Sequence, residues 1–448
     1  MHLLSSKKLP HEVLNGLSSK YGMVYRFYMG SYYSLVVTDP DMMREIFIKN
    51  FDNFTDRLHI PSIKYASNNF RGIGSADEYQ WRVNKQRVIS AFSGTNIKKV
   101  SHLLEKTTSE LVSIMSEFEA SGREMEPIMY FRKYATNVIC RYIFSLEVPY
   151  GDEEMGVDGG RVTQLIKAVH DISILLGSGS KGDFISVLSP FYDIYLTYFT
   201  KEITNINQFV REIVMEHLNT LDKENPKDLI DTLIMQFDCT KPENIQEIVY
   251  IARDIFMSVE TPANTLEWFT LLMANYPIVQ EKVYQELKMI VSERDNIQLT
   301  LKDRNSTPYL NATIKESMRY KNIAPLGGSR VAKNDIVINN IFIPKGCNII
   351  QNFYGLSRNE QFWNEPNQFL PDRFINNNHS DLFYPFALGP RNCLGQNLAL
   401  DELYLACSNI LVNFKISPPE GSSKLDETEI FSLSAHPHKF KIKLEKRV

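Results

Sequence analysis

The sequence predicts a mainly helical fold with a small amount of β structure, an α+β class. Helical periodicity of apolar residues dominates from about residue 77 to residue 320. Stretches rich in Gly, Ser and Pro interrupt this region, at 150–160, 177–190 and 222–227. Runs with β propensity lie outside it, near 23–37 and 326–350. No internal repeat, long linker or abrupt shift in composition marks a domain boundary.

The first β region predicts a hairpin, because runs rich in aromatic and β-branched residues at 23–29 and 32–37 flank Gly30-Ser31. Asp39-Pro40 then predicts a helix start, with Asp as the N-cap and Pro in the first helical position. After the helical region, three short runs predict strands, at 335–338, 341–343 and 348–350.

Composition and charge restrict the class of protein. With 448 residues, 43% hydrophobic and 23% charged, the chain is globular rather than disordered. A net charge of −4 argues against a nucleic-acid binder. Five cysteines, odd in number and without CxxC spacing, favour a reducing compartment over a zinc site or a disulfide framework. They are Cys140, Cys239, Cys347, Cys393 and Cys407.

One of these cysteines lies in a loop suited to metal binding, Phe386-Ala-Leu-Gly-Pro-Arg-Asn-Cys-Leu-Gly395. A helical pattern follows Cys393, and the positive end of a helix dipole favours the thiolate that binds metal. Gly389 and Gly395 have no side chains, so a flat, bulky group can approach the backbone. Arg391 supplies a cation for a carboxylate. The loop therefore suits a haem held through an axial thiolate.

This loop resembles the haem-binding signature of the cytochrome P450 family, in which Phe386, Arg391, Cys393 and Gly395 fall at the family spacing. The alternative, a structural cysteine beside a glycine turn, is disfavoured by three further motifs in the expected order. The resemblance is closest to the eukaryotic microsomal-type branch, with features similar to social-amoeba members. It implies one cytochrome P450 domain over residues 1–448, mainly α with a small segregated sheet.

The second motif is Glu316-Ser-Met-Arg319, in which a carboxylate and a guanidinium lie one helical turn apart. By resemblance these are the family's ExxR pair, and Arg373 is the arginine that completes a structural charge network. Taken alone, such a pair is a surface ion pair worth less than about 1 kcal/mol.

The third motif is Glu260-Thr261, within an apolar helical pattern over about 247–277. A buried acid is costly unless it has a task, and the resemblance implies that this pair delivers protons to oxygen as the catalytic residues. The family usually has glycine at Ser258 and Thr or Ser at Pro262. We hypothesise that Pro262, which removes the hydrogen bond to the Ser258 carbonyl, opens the oxygen groove.

The fourth motif, Trp81-Arg-Val-Asn-Lys85, places an aromatic ring and a cation one turn apart to bind a haem propionate. Most relatives have arginine at Lys85, and lysine loses its bidentate geometry. Arg330 and Arg391 match other propionate-binding arginines. The basic residues of this region suit either a solvated helix face or a docking face for an acidic flavoprotein: Arg82, Lys85, Arg87, Lys98 and Lys99.

The resemblance implies a haem-thiolate monooxygenase that inserts one oxygen atom from O2 into a lipophilic small organic substrate. The implied cofactor is haem b, and Cys393 is the implied ligand of its iron. The implied co-substrates are O2 and NADPH-derived electrons. The implied partner is NADPH-cytochrome P450 reductase or a similar flavoprotein. Peripheral contact with a membrane is also implied, whereas binding of nucleic acid is not. Substrate choice is expected from four loops, at 69–79, 172–198, 323–328 and 432–436.

An intracellular location on the endoplasmic reticulum surface is implied. No apolar run approaches the roughly 20 residues that span a bilayer, so the chain as given is expected to be soluble, whether or not the missing N-terminal anchor is natural. Two alternative functions remain. A haem-thiolate isomerase or dehydratase needs no redox partner, but such relatives typically lose the pair matched by Glu260-Thr261. A non-catalytic haem-binding relative is supported by Ser258 and the missing anchor.

Overall fold

The computed structural model describes residues 8–150, 160–292, 294, 297–375, 379 and 381–447. The helices are α1 (Pro10–Tyr21), α2 (Pro40–Arg44), α3 (Pro61–Ala66), α4 (Glu78–Val88), α5 (Gly94–Lys99), α6 (Ser101–Ser121), α7 (Pro127–Phe144), α8 (Arg161–Gly177), α9 (Lys181–Phe184), α10 (Ser189–Phe199), α11 (Glu202–Thr220), α12 (Leu229–Gln236), α13 (Pro242–Phe256), α14 (Glu260–Asn275), α15 (Pro277–Val291), α16 (Pro308–Tyr320), α17 (Phe353–Arg358) and α18 (Gln396–Asn413).

The strands are short and contribute a small part of the fold. They are β1 (Val24–Met29), β2 (Tyr32–Val37), β3 (Arg330–Val331), β4 (Ile336–Ile338), β5 (Ile341–Ile343), β6 (Asn348–Gln351), β7 (Phe414–Ser417), β8 (Glu429–Ile430), β9 (His436–Pro437) and β10 (Lys443–Lys446). The predicted class, mainly helical with a little β structure, is confirmed.

The main sheet has four strands in the order β1-β2-β6-β3. Strands β2 and β6 are parallel, whereas the other two pairs are antiparallel. A parallel pair needs a long crossover, and here the crossover from β2 to β6 contains most of the helices. Three further pairs form two-stranded sheets, β4–β5, β7–β10 and β8–β9.

The predicted hairpin and helix start are both present. Gly30 has φ 62° in the turn between β1 and β2, a conformation that glycine adopts readily. Asp39 accepts a hydrogen bond from the Met42 amide at 2.7 Å and caps α2, with Pro40 at the first helical position. The runs predicted as strands near 335–350 are β4, β5 and β6.

The predicted helix breaks have mixed outcomes. The break at 222–227 separates α11 from α12, as predicted. The break at 177–190 also holds the short helix α9. The break at 150–160 falls mainly on 151–159, which lie outside the described residues. The single apolar helix expected over about 247–277 is two helices, α13 and α14, joined by one turn of 3-10 helix at Met257–Val259.

Helix α14 runs through the centre of the main apolar cluster. Every residue from Glu260 to Ala274 is buried except Thr261. The helix packs against α7, α16, α18 and β9, so polar side chains on it face neighbouring elements rather than bulk water. Within the described part of the chain, each helix is too short or too polar to cross a bilayer.

Candidate active site

The loop 386–395 turns sharply before the chain enters α18. Gly389 has φ 76°, and a Cβ there would lie 2.0 Å from the Phe47 carbonyl oxygen, so glycine is required. The Cys393 amide donates to the Phe386 carbonyl at 2.9 Å and closes the loop. The Cys393 side chain is left exposed three residues before α18 begins. The loop therefore presents a thiol at the start of a buried helix.

The protein groups around Cys393 favour its thiol form when they act alone. Loss of hydration raises the pKa of the Cys393 thiol, and a hydrogen bond with the Gly395 backbone opposes this only in part. Desolvation by the surrounding protein therefore opposes the helix start, whose positive end favours the thiolate. A cation bound at the sulfur is needed to keep the thiolate. A Cβ on Gly395 would meet no atom within 4 Å, which leaves room for a flat group.

Three arginines converge beside this loop, and we call Arg57, Arg330 and Arg391 the arginine cluster. Arg330 Nη2 donates to the Arg391 carbonyl at 3.2 Å. Arg330 Nη1 is buried and has no hydrogen-bond partner within the described residues. Arg57 and Arg391 donate to backbone carbonyls, Arg57 to Ser329 at 3.1 Å and Arg391 to Ala76 at 2.8 Å.

The positive charge of the arginine cluster is only partly compensated. Burial lowers the pKa of Arg57 to about 10. Burial and the Arg57 charge lower the pKa of Arg391 to about 8, although Asp77 and Asp56 oppose this. Burial, then the charges of Arg57 and Arg391, lower the pKa of Arg330 well below its ordinary value. Clustered cations with a spare donor fit a group that carries more than one carboxylate.

The predicted pair Trp81 and Lys85 lies on α4 next to the loop. The Lys85 ammonium lies 5.2 Å from the ring centroid of Trp81, which is buried, and the Arg391 guanidinium lies 4.9 Å from it. Lys85 Nζ donates to the Pro390 carbonyl. Burial, then the Arg391 charge, lower the pKa of Lys85. The structure thus brings Trp81, Lys85 and Arg391 together.

Sequence reasoning missed Arg57, which lies in none of the four motifs. It reaches the site because the segment after the 3-10 helix Phe51–Asn53 packs against Gly328. A Cβ on Gly328 would lie 2.5 Å from Arg57 Nη1. The consecutive glycines Gly327 and Gly328 before Arg330 indicate that another part of the chain lies close to the backbone there. The sequence does not show that this part is Arg57.

The 3-10 turn Met257–Val259 exposes one face of an otherwise buried helix. Ser258 and Thr261 are exposed, whereas Glu260 and Pro262 are buried. This face is the part of the helix that neighbouring elements leave uncovered. The Thr261 hydroxyl donates to the Ser258 carbonyl at 3.0 Å, in place of the amide hydrogen that Pro262 lacks.

Glu260 has different surroundings from its neighbour Thr261. Its side chain is 7% exposed, and Oε1 lies 2.6 Å from His170 Nδ1 on α8. Within the described residues no hydrogen bond joins the Glu260 carboxylate to the Thr261 hydroxyl. Sequence reasoning missed His170, because a lone histidine in a helix gives no sign of a partner on another helix.

Comparison with known proteins agrees with this geometry. The family model described as Cytochrome P450 matches residues 1–444. The chain belongs to the cytochrome P450 family. "Probable cytochrome P450 508D1" of Dictyostelium discoideum is 38% identical over 439 residues, which are 98% of this chain and 89% of that protein. "Probable cytochrome P450 508A2" of the same organism is 36% identical over 98% of this chain and 90% of its own length. The resemblance to social-amoeba members is thereby confirmed.

The cytochrome P450 fold is confirmed by a solved structure described as "Zebra fish cytochrome P450 another structure with Abiraterone". It matches with a TM-score of 0.83 at 26% identity, over 98% of this chain and 99% of the zebrafish chain. Cytochromes P450 are monooxygenases that bind haem b through a cysteine thiolate and use O2 and NADPH-derived electrons. The residues present fit that group, because the arginine cluster has a spare donor and the space beside Gly395 is open.

The P450 charge network predicted from the sequence is assembled. Arg319 donates to both carboxylate oxygens of Glu316, at 2.7 and 2.8 Å, and both side chains are fully buried. Arg373 Nε donates to Glu316 Oε1 at 3.2 Å. Arg319 Nη1 also donates to the Ser357 and Pro366 carbonyls, at 2.8 and 2.9 Å. The network joins α16 to the segment that leads into the cysteine loop.

Proposed function

We propose that this cytochrome P450 inserts one oxygen atom from O2 into a lipophilic small organic substrate. The electrons come from NADPH-cytochrome P450 reductase or a similar flavoprotein. The observation that carries the proposal is the accessible Cys393 thiol beside an arginine cluster with an unpartnered donor. A soft metal ligand next to an anion site suits an iron porphyrin with two propionates. We also propose one domain over residues 1–448, supported by one apolar cluster that joins Ala66 to Leu444.

We assign the haem contacts to residues that the fold brings to one place. Cys393 is the proposed iron ligand, and Phe386 and Gly395 shape the loop beneath the ring. The propionates are assigned to the arginine cluster and Lys85, with Trp81 as the buried platform. The bound haem supplies the activation of O2 and the oxidising power. The protein holds the cofactor, shapes the cavity and moves protons.

Proton delivery is assigned to Thr261 and Glu260. Insertion of one oxygen atom, with the other released as water, consumes two electrons and two protons. The Thr261 hydroxyl proton is engaged by the Ser258 carbonyl, so its oxygen is left to accept a hydrogen bond from a cavity water. Glu260, which His170 holds in place, is the acid behind it. A positioned general acid contributes about 10²–10⁴ in rate.

Glu316, Arg319 and Arg373 are assigned a structural role. Their network is buried and lies between α16 and the segment leading to the cysteine loop, so it fixes the position of that loop. Each Glu316 oxygen accepts a charged donor, which offsets the cost of burying the carboxylate.

Three of the four proposed substrate loops meet at one place. The Leu433 amide donates to the Ser173 carbonyl at 3.0 Å, and the Ala435 amide donates to the Ile323 carbonyl at 2.7 Å. A Cβ on Gly177 would lie 2.3 Å from Ser432 Cα, so the backbones are in close contact. These bonds support one continuous cavity wall made from the end of α8, the 323–328 segment and the β8–β9 hairpin.

Several aromatic side chains of the 172–198 loop lie on the outer surface instead. Helix α10 and the residues before it expose apolar side chains at Val187, Leu188, Phe191, Ile194, Tyr195, Tyr198 and Phe199. Phe191 is 71% exposed and Tyr198 is 74% exposed. An exposed apolar patch of this kind marks an interaction surface. We propose peripheral contact with a membrane there, at the endoplasmic reticulum surface.

The proposed reductase-docking face is narrower than the sequence predicts. Arg82 pairs with Asp52 and Glu78, each at 2.7 Å, and Lys85 is turned toward the cysteine loop. The Arg87 guanidinium lies 3.9 Å from the Phe237 ring centroid. Lys98 and Lys99 are exposed. We propose that these two lysines provide most of the electrostatic attraction for a flavoprotein.

The absorption spectrum of the reduced, CO-bound protein tests the proposed function. A strongly red-shifted Soret band is expected for thiolate ligation, lost in Cys393→Ser and kept in the control Cys239→Ser. A band at the position of neutral-ligand haem proteins would overturn the assignment of Cys393. Turnover of lipophilic compounds should then require NADPH and a reductase. Product without either would identify an isomerase or dehydratase, and haem binding without any turnover would identify a non-catalytic relative.

A further inference from the structure

A second group of ionisable side chains lies next to Glu260, where other elements pack against α14. It consists of His170 on α8, His436 on β9, Arg132 on α7 and Glu267 on α14, and we call it the distal polar cluster. Glu267 lies two helical turns after Glu260 on the same side of α14. Four elements that are distant in sequence thus contribute one charged or titratable side chain each.

The contacts connect the distal polar cluster to Glu260. His170 Nδ1 lies 2.6 Å from Glu260 Oε1, and the His170 and His436 rings meet edge to face with centroids 5.0 Å apart. Arg132 Nε lies 3.6 Å from Glu267 Oε1, beyond direct hydrogen-bond distance. The charges of His170, Arg132 and Glu260 also affect the pKa of His436.

Several buried polar atoms of this cluster have no hydrogen-bond partner within the described residues. They are Arg132 Nε, both carboxylate oxygens of Glu267 and His436 Nε2. The neighbouring atoms Asn264 Oδ1 and Ser173 Oγ share this property. Buried polar groups in folded proteins are almost always satisfied by protein or by ordered water. Six such atoms in one region indicate bound water between α7, α8, α14 and β9.

We propose that Glu267, Arg132, His436 and His170, together with the water their unpartnered atoms bind, form a proton path that refills Glu260. The inference rests on the proposed function and extends it by naming the source of the protons. The side chains of His170 and Arg132 are 22% and 11% exposed, whereas Glu267 is fully buried. We assign the outer end of the path to Arg132, because it is the charged group next to Glu267. His170 is the last member, because it alone in the cluster hydrogen-bonds Glu260 within the described residues.

Each transfer moves one proton and no electrons. When Glu260 releases its proton toward Thr261 and the cavity, it becomes a carboxylate. A proton then passes from Glu267 through water and His436 to His170, and the imidazolium so formed protonates Glu260 at the contact between the two side chains. Glu267 recovers its own proton from water beside Arg132. Two protons pass along the path for each oxygen atom inserted, and each group ends in its starting state.

The groups that face Glu267 suit it to carry a proton near neutral pH. Burial raises the pKa of Glu267 to about 8, with the Arg132 charge opposing this and the Glu260 charge adding to it. Burial lowers the pKa of His436; its bond to the Pro437 carbonyl opposes this, and the His170 and Arg132 charges add to it. A carrier is most effective when its pKa lies near the working pH.

The test compares Glu267→Gln and His170→Gln with the wild-type haem protein. Both variants keep a polar side chain at the position but cannot pass a proton. We expect product per NADPH to fall about tenfold, less than the 10²–10⁴ of a full general acid because Glu260 and Thr261 remain. Peroxide release and the solvent isotope effect should rise. Glu402→Gln is the matched control, since Glu402 is buried on α18 with its pKa raised well above the ordinary value by burial.

An infrared measurement tests the same path without turnover. Between pH 6 and 9 the wild-type protein should lose a protonated-carboxyl band, which is absent in Glu267→Gln and retained in Glu402→Gln. If wild-type turnover requires reductase but both path variants couple normally, the proton path is wrong while the proposed function stands. If the wild-type protein shows no thiolate spectrum or no reductase-dependent product, the proposed function fails and the path falls with it.

Discussion

The Thr261 hydroxyl donates a hydrogen bond at 3.0 Å to the Ser258 carbonyl, the acceptor that an amide at position 262 would otherwise bind. Pro262 has no amide hydrogen. The Thr261 hydroxyl therefore replaces the hydrogen bond that the proline cannot make. This bond fixes the Thr261 side chain next to the 3-10 turn between α13 and α14. Pro262, the Ser258 carbonyl and the Thr261 hydroxyl form one local unit.

Replacing this proline tests that unit. In Pro262→Thr the restored amide competes with Thr261 for the Ser258 carbonyl, so the hydroxyl becomes free to rotate. We expect slower turnover and less product per NADPH, with thermal stability unchanged or slightly raised because position 262 lies in the first turn of α14. Unchanged coupling would contradict the idea that Pro262 opens the oxygen groove. Pro308→Thr, at the first position of α16, is the matched control.

Removing one member of the arginine cluster should weaken haem binding without lowering the stability of the haem-free protein. In Arg57→Met the relief of repulsion on Arg330 and Arg391 offsets the loss of the hydrogen bond to the Ser329 carbonyl, so the haem-free protein should be about as stable as wild type. Haem loss should be about tenfold faster, because one charged hydrogen bond of about 1.5–3 kcal/mol is lost. Haem transfer to apomyoglobin measures the rate. Arg82→Met, whose guanidinium already pairs with Glu78, should lose haem at the wild-type rate.

Buried Glu267 should make stability depend on pH. Its pKa is raised from 4.5 to about 8, so between these values the folded protein holds a proton that the unfolded chain has released. The free energy of unfolding should therefore fall as pH rises from about 4.5 to 8 and then level off. Urea unfolding at several pH values checks this. In Glu267→Gln this part of the slope should disappear, and an unchanged slope would contradict the assignment.

The charge network around Glu316 should be essential for folding. Glu316→Ala leaves Arg319 buried without its carboxylate, which costs about 3–5 kcal/mol. We expect a large loss of stability in urea unfolding and a low yield of folded haem protein. Arg294→Ala removes an ion pair of 2.6 Å to Asp303, but Arg294 is 40% exposed, so its cost should stay below about 1 kcal/mol. Equal effects of the two substitutions would contradict a buried structural role.

Local patterns in the sequence were sufficient for elements whose causes are local. The β1–β2 hairpin follows from Gly30-Ser31, and the start of α2 follows from Asp39-Pro40, because turns and caps depend on a few neighbouring residues. The ExxR spacing placed Glu316 and Arg319 on one helix face for the same reason. The helical pattern over 247–277 was predicted as one element. It divides at Met257–Val259, one turn before Pro262, which cannot donate to the Ser258 carbonyl.

The sequence by itself determined the family, the helical class and the cysteine loop, since these rest on residue type at fixed spacing. The proton-delivery role of Glu260 and Thr261 stays a prediction. Only the tertiary structure decided that Arg57 joins Arg330 and Arg391, that His170 holds Glu260 and that Arg132 faces Glu267. Each of these contacts joins elements far apart in the chain. The physical reason is that packing of the helices and strands brings such groups together, and the resulting burial shifts their pKa values. Both packing and burial are properties of the whole fold rather than of any one segment.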